Sequence, residues 1–253
     1  MRCAEVWGGT KILDEDVCSA GIVASVHSTA YDSDQGGDMY YFSVCENDNL
    51  TRIAIADMAG HGSEVSDVNG WLYDILVTHM NDTACDVVLE ELNDSAMQHR
   101  IRAPTTAAVV GVRRKNVGSW QPLALNADTT LHANAPLGVQ PDAFFDQQQL
   151  PLVPGDRPFL HTDAVTEAMN STGELFGDVR LRQVLDKVGH ETLPMLKRSV
   201  LDAVAEHAAG ASATDDVTLP AIEIGPITYG PIPATRLGRP KNAGNIDVAR
   251  RRT

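Results

Sequence analysis

The chain has 253 residues, with 20 Lys and Arg against 34 Asp and Glu and a formal net charge of −14. That length supports one large domain or two small ones with a sizeable core, and no apolar run is long enough to span a bilayer. The charge is uneven: residues 226–253 hold six Lys/Arg and one acid, which leaves the first 225 residues with 14 basic and 33 acidic side chains, a net of −19. So acidic a body argues against nucleic acid as the main partner. The opening stretch MRCAEVWGGTKILDEDV lacks the charged-then-apolar pattern of a secretion signal, so a cytoplasmic protein without a membrane partner is expected. The four cysteines, Cys3, Cys18, Cys45 and Cys85, contain no CxxC pair. That spacing supports neither a zinc ribbon nor a redox motif, and buried free thiols are expected.

In chain order, residues 20–30 alternate loosely and predict a strand. DMYYFSVCEN and TRIAIAD follow, split by the polar turn at 46–49, which is a hairpin signature. After a glycine turn the apolar positions Val65, Val68, Leu72, Ile75, Leu76 and Met80 fall at threes and fours, predicting a helix. A second helix is expected from Thr83, capped with Asp86, with Val88, Leu89, Leu92 and Ala96 on its apolar face. TTAAVVGVRR at 105–114, WQPLALN, AFFDQQQLPLV and RPFLHTD return to strand, the last two separated by the turn VPGD at 153–156. Two helices follow, one with Leu181, Val184, Leu185 and Val188 on its face and one over about 192–209. A final strand covers 215–224. From Gly225 onward proline and glycine are frequent and no period survives, so 1–225 is expected to be the folded domain and 226–253 a disordered basic tail. Strands come in hairpins and helices in pairs, without regular βαβ alternation. An antiparallel α+β architecture is therefore favoured.

The chemistry lies at strand ends. Asp57 closes the strand at 52–56, Asp163 closes the strand at 157–162, and Asp215 precedes the last strand. In an antiparallel sheet the end of one strand lies beside the start of its neighbour, so these three acids can share an edge. Asp38 begins the strand hairpinned to that of Asp57 and reaches the same edge. Clustered carboxylates raise one another's pKa unless a cation sits among them. All-oxygen ligation suits a hard divalent ion such as Mg²⁺ or Mn²⁺. Gly36, Gly37, Gly60 and Gly62 allow close backbone approach around these acids. Taken singly, each Asp has a plainer alternative, an Asx-turn or a helix cap. Asp216 beside Asp215 is expected to be structural. His61 is either a turn histidine or a general acid.

Taken together, GGDMYYFSV, RIAIADMAGHGSEVSDV, PLGV, LVPGDRPFLHTDAVTEAMNSTGELFG and TDDVTL, in that order over residues 20–224, resemble the metal-dependent protein phosphatase (PPM) family. Within it they resemble the bacterial branch of the stage II sporulation protein E type and the stress-response regulatory phosphatases. The resemblance implies an αββα sandwich, two antiparallel sheets flanked by helices on both outer faces, with two Mn²⁺ or Mg²⁺ ions at one end. Carried over by residue, Asp57 resembles the bridging carboxylate and the Met58 carbonyl its companion ligand. Asp163 and Asp215 resemble ligands of the second ion, and Asp38 the acid that holds the metals' water. The implied activity is hydrolysis of phosphoserine or phosphothreonine on a regulatory phosphoprotein, often an anti-sigma-factor antagonist, with Asp38, Asp57 and His61 as the catalytic set. Three departures stand out. Ala164 replaces a usual glycine, where a methyl crowds the backbone if a positive φ is required. Tyr41 replaces a second acid after GGD. The strand carrying NAGH in relatives is missing. The last and first of these motivate an alternative, a pseudophosphatase that binds a phosphoprotein without turnover.

Overall fold

The computed structural model describes residues 3–19, 21–31, 35–45, 50–59, 63–79, 84–98, 104–115, 119–120, 122–123, 135–145, 150–211 and 215–225. The turn at 46–49, the glycine turn with Gly60, His61 and Gly62, the expected cap Thr83 and the tail 226–253 lie outside them.

One sheet runs in the order β1 (Cys3–Lys11), β4 (Gln35–Cys45), β5 (Leu50–Met58), β6 (Thr105–Lys115) and β7 (Ser119–Trp120). The second runs β10 (Val217–Ile224), β3 (Ile22–Thr29), β2 (Leu13–Ser19), and a short ribbon joins β8 (Pro122–Leu123) to β9 (Leu150–Pro151). All these pairings are antiparallel. Side chains alternate between faces along each strand, and that alternation builds three layers of core. Tyr40, Phe42, Ile53 and Val112 of the first sheet meet Ile22, Ala24, Val26, Ile222 and Ile224 of the second. On the outer face of the first sheet, Met39, Tyr41, Ala54, Ala56 and Met58 receive Leu72 and Leu76 of α1 (Ser63–His79) and Val88, Leu89 and Leu92 of α2 (Cys85–Gln98). On the outer face of the second, Leu219 and Ala221 receive Leu181 of α4 (Gly177–Val188) and Leu193, Leu196 and Val200 of α5 (Leu193–Ala208). The result is the expected αββα sandwich. Each buried Leu or Ile contributes about 1.5–3 kcal/mol, and a one-residue slip would turn every one of them to the wrong face. Register is therefore strongly fixed.

Some elements depart from expectation. β1 and β2 were not foreseen. The Gly8–Gly9 pair interrupts the pattern of β1, and Gly8 is needed because an added Cβ would lie 2.5 Å from the carbonyl oxygen of Tyr40. Among the described residues β2 pairs with β3 alone, and its exposed acids suit an edge strand. The strand expected at 157–162 is an extended segment running along β10 with one isolated bridge, Phe159 to Ala221. It still bonds regularly: Leu160 N–H donates to Pro220 O, Thr162 N–H to Thr218 O and Ile222 N–H to Pro158 O. Pro158 and Pro220 have no N–H to give, so the ladder is incomplete. WQPLALN and AFFDQQQLPLV contribute only two-residue strands within the described residues.

Ala164 opens the short helix α3 (Ala164–Glu167). Among the described residues the non-glycine positions with positive φ are Asp142 and Ala209. Ala164 therefore carries no left-handed strain, and the crowding considered for its methyl does not arise. Tyr41 is fully buried against Tyr73 of α1, with ring centroids 6.1 Å apart; it serves the sheet–helix interface, on the opposite face from Asp38. No helix among the described residues is long and apolar enough to cross a membrane.

Candidate active site

The acid edge is a product of strand parity. Tyr40, Phe42 and Ile53 point between the sheets, and Asp38 and Asp57 share their parity. Met39 pairs with Ala56, so one register step further places Asp38 across from Asp57. Both carboxylates thus enter the gap between the sheets at one end. From the second sheet, Asp163 follows the segment alongside β10, and Asp215 and Asp216 lead into β10 itself.

Asp38 is 2% exposed. Its Oδ2 accepts the hydroxyl of Thr162 at 2.9 Å. That hydroxyl in turn accepts the backbone N–H of Thr218 at 3.0 Å, and Thr218 Oγ1 lies 2.9 Å from Ser28 Oγ. Burial pushes the Asp38 carboxyl up to about 8, the charge of Asp57 adds to this, and the Thr162 and Thr218 hydroxyls oppose it. Asp57 is pushed up to about 7, first by burial, then by the charge of Asp163, by a hydrogen bond shared with it, and by the charges of Asp215 and Asp216. Asp163 sits at the N-terminal end of α3 without a side-chain capping bond, so its carboxylate is directed to Asp57 rather than to the helix. Asp215 is exposed and its Oδ1 accepts the N–H of Asp216 at 2.9 Å, a local turn bond of the plainer kind. Met58 is the last residue of β5 and its side chain is buried under the helices. His61 lies outside the described residues.

The structure therefore brings Asp38, Asp57, Asp163 and Asp215 to one edge. Among the described residues, the charged groups that act most strongly on Asp38 and Asp57 are other acids. Such a set is electrostatically incomplete, and carboxylate oxygens are the donors a hard divalent cation takes. Among the described residues no three His, Cys, Asp or Glu side chains converge on a single point as a finished ligand cage. The donor set fits a hard cation in kind.

The sequence reading missed the residues that hold these acids. Thr162, Thr218 and Ser28 form the hydroxyl chain behind Asp38; Asp216, expected to be structural, is a buried carboxylate bonded to backbone. Parity carried the signal: Thr218 lies two residues from Asp216 and four from Ile222, so all three face the gap.

The family model for stage II sporulation protein E matches residues 47–225. The chain belongs to the stage II sporulation protein E family. Its domain is accordingly a phosphoprotein phosphatase domain of the PP2C serine/threonine type. Solved structures share the fold. The SiaA PP2C domain of Pseudomonas aeruginosa matches with a TM-score of 0.62 and 17% identity, over 79% of this chain and 85% of that one. The RsbU and RsbW domains of Rv1364c from Mycobacterium tuberculosis match with a TM-score of 0.66 and 19% identity, over 87% of this chain and 64% of that one. The catalytic domain of the serine/threonine phosphatase PstP, in complex with two manganese ions, matches with a TM-score of 0.50 and 12% identity, over 81% and 99%. No curated protein sequence matches the chain. The SpoIIE-family match begins at residue 47, so it covers Asp57, Asp163 and Asp215 and leaves Asp38 before it.

Proposed function

We propose that this SpoIIE-family chain is an active metal-dependent phosphatase that hydrolyses phosphoserine or phosphothreonine on a bacterial regulatory protein. The observation that carries this is the acid edge: the buried Asp38 and half-buried Asp57 in cross-strand register, with Asp163 in hydrogen-bond reach of Asp57 and further acids beside them. Asp57 and Asp163, with Asp215 and the carbonyl of Met58, would hold two Mn²⁺ or Mg²⁺ ions. The manganese reported in PstP supports that choice. Bound there, such ions acidify water and offset charge on phosphoryl oxygens.

The chain's own residues supply the rest. Asp38, fixed by Thr162, is placed to orient a water and take its proton, since its carboxyl is poised near neutrality by burial. Water oxygen bonds to phosphorus as the bond to the serine or threonine oxygen breaks, and the leaving oxygen takes a proton. His61 is the candidate donor of that proton. The RsbU and RsbW domains joined in Rv1364c support a phosphoprotein partner in a regulatory system, and an anti-sigma-factor antagonist is the proposed class.

The rival reading, a pseudophosphatase, drew on Ala164 and on the missing strand; the first ground falls with the helical backbone at Ala164, and the second concerns a stretch largely outside the described residues. Turnover of p-nitrophenyl phosphate and of a phosphoserine peptide, measured with Mn²⁺ and with EDTA, tests the proposal. Mn²⁺-dependent release of phosphate from both is expected. Binding of the phosphopeptide without release would favour the rival, and full activity after exhaustive chelation would rule out metal-dependent hydrolysis.

A further inference from the structure

Asp216 stands out among the acids near the edge. It is 3% exposed, and its partners among the described residues are backbone N–H groups rather than a cation. Oδ1 accepts the N–H of Tyr31 at 2.6 Å, and Oδ2 accepts the N–H of Gly37. Tyr31 lies just past the end of β3, in the second sheet. Gly37 lies at the start of β4, in the first sheet, one residue before Asp38. Asp216 itself leads into β10. Two segments near the start of the chain thus meet, on one carboxylate 179 and 185 residues further on, between the two sheets and behind the acid edge.

Gly36 completes the arrangement. A Cβ at position 36 would lie 2.5 Å from Oδ2, 2.6 Å from Cγ and 3.0 Å from Oδ1 of Asp216. No side chain fits there, so the carboxylate lies flat against bare backbone. A carboxylate that receives two backbone N–H groups is bonded by charge-assisted hydrogen bonds, which are shorter and stronger than neutral ones. Both oxygens are so used, whereas Asp215 Oδ1 accepts the adjacent N–H of Asp216.

We propose that Asp216 is a positioning residue: its carboxylate clamps the Gly36–Gly37 backbone to the end of β3 and so sets where Asp38 stands. The clamp and the Thr162 hydroxyl hold Asp38 from two sides, one through its backbone and one through its side chain. This deepens the functional reading above and rests on it for the role of Asp38. The clamp itself stands on geometry.

The test is a four-protein cycle: wild type, Asp216→Ala, Gly36→Ala and the double variant, with Asp216→Asn as a fifth protein that keeps the volume and one acceptor oxygen. In EDTA, amide hydrogen exchange of Tyr31 and Gly37 is expected to speed up at least about tenfold in Asp216→Ala, while the amide of Val26 in the core is unchanged; Asp216→Asn should lie between. With metal, the Mn²⁺ concentration giving half the maximal thermal shift should rise about tenfold or more, the usual cost of losing a group that orients a ligand. Turnover of p-nitrophenyl phosphate should lose kcat with KM within about twofold, because the substrate does not touch Asp216. Gly36→Ala should reproduce these effects without changing any charge, and in the Asp216→Ala background it should add little, since the space it needs is then open. Unchanged protection of Tyr31 and Gly37, an unchanged Mn²⁺ midpoint, or effects of the two substitutions that multiply would each overturn the proposal. If Asp216→Ala does not fold, Asp216→Asn and Gly36→Ala carry the same comparison. If wild type has neither a Mn²⁺ shift nor turnover, the phosphatase reading falls, and the exchange arm still decides whether Asp216 is the clamp.

Discussion

Two buried polar groups in this molecule handle charge in opposite ways. On the outer face of the second sheet, Lys197 of α5 is buried and donates to Asp14 of β2 and, at 3.3 Å, to the carbonyl of Val26. The ammonium holds the Asp14 carboxyl below its usual range. Nearby His27, 4.0 Å from Asp14, is held below its usual value by burial, with Asp14 opposing and Lys197 adding to the fall. That site is closed: the charge under the helix has its counter-charge. The acid edge between the sheets is open: Asp38 and Asp57 sit among further acids, and burial and repulsion push both toward neutrality. The difference separates a charge neutralised within the fold from acids that are left facing one another. A buried charge is tolerated when paired within the fold; a cluster of one sign needs something from outside.

Substitutions at the two sites should part most sharply in activity. Asp57→Asn should lower Mn²⁺-dependent turnover by about 100-fold or more. In EDTA the same variant should melt above wild type, by about 2–4 °C if about 1 kcal/mol of repulsion is relieved, and it should lose most of the thermal shift that Mn²⁺ gives wild type. Retention of the full Mn²⁺ shift would remove Asp57 as a principal ligand. No substitution at the closed site should raise stability in this way. Asp14→Asn leaves Lys197 buried without its carboxylate and should cost about 2 kcal/mol in urea unfolding. Lys197→Met should cost less, about 1 kcal/mol, because Asp14, whose side chain is 68% exposed, returns to water. If the two cost the same, burial of Lys197 is not what makes the pair matter.

The two sites should also answer pH with opposite sign. Asp38 and Asp57 have folded values of about 8 and about 7, above the ordinary 3.8, so the metal-free fold binds protons the unfolded chain does not. Its melting temperature in EDTA should rise as pH falls from above 8 through 7. Saturating Mn²⁺ should abolish that rise, since metal and protons compete for the same oxygens. Asp14 lies below 3.8 in the fold, so its contribution is present above that value and is lost only as pH drops through the acid range. A metal-free melt flat between pH 8 and 6 would contradict the open-site description. The smallest effect belongs to Ala164→Gly: with a helical backbone at this position, the change should cost up to about 1 kcal/mol and bring no gain in turnover.

Much of this was legible in the sequence because the physics was local. Alternation in DMYYFSVC and TRIAIAD fixes which side chains enter the core, and the same parity carries Asp38 and Asp57 to one gap. The spacing of Leu72, Leu76, Val88 and Leu92 gives the helices that cover the outer face. What stayed hidden depends on distant partners. β1 and β2 carry glycines and acids whose places make sense only beside Tyr40 and β3. Asp215 and Asp216 are chemically identical neighbours, and only the paths of β3 and β4 decide that one is exposed and the other buried. The Thr162 hydroxyl looks ordinary until Asp38 is set against it.

The position of β10 has a consequence for how the protein is made. It lies between β3 and the 157–162 segment and, together with Asp216 just before it, supplies the backbone or side-chain partners of Thr162, Ser28, Tyr31 and Gly37. The partners in these side-chain bonds to β3 and β4 are separated by 179–190 residues. During synthesis the first sheet and its helices can close early, while the second sheet lacks a member in its middle until residue 224 has emerged. Contacts across so long a loop form late and slowly. A nascent chain stopped between residues 168 and 216 would hold its phosphatase motifs up to HTDAVTEA and still have no assembled edge, so the activity should switch on only once the last strand has docked.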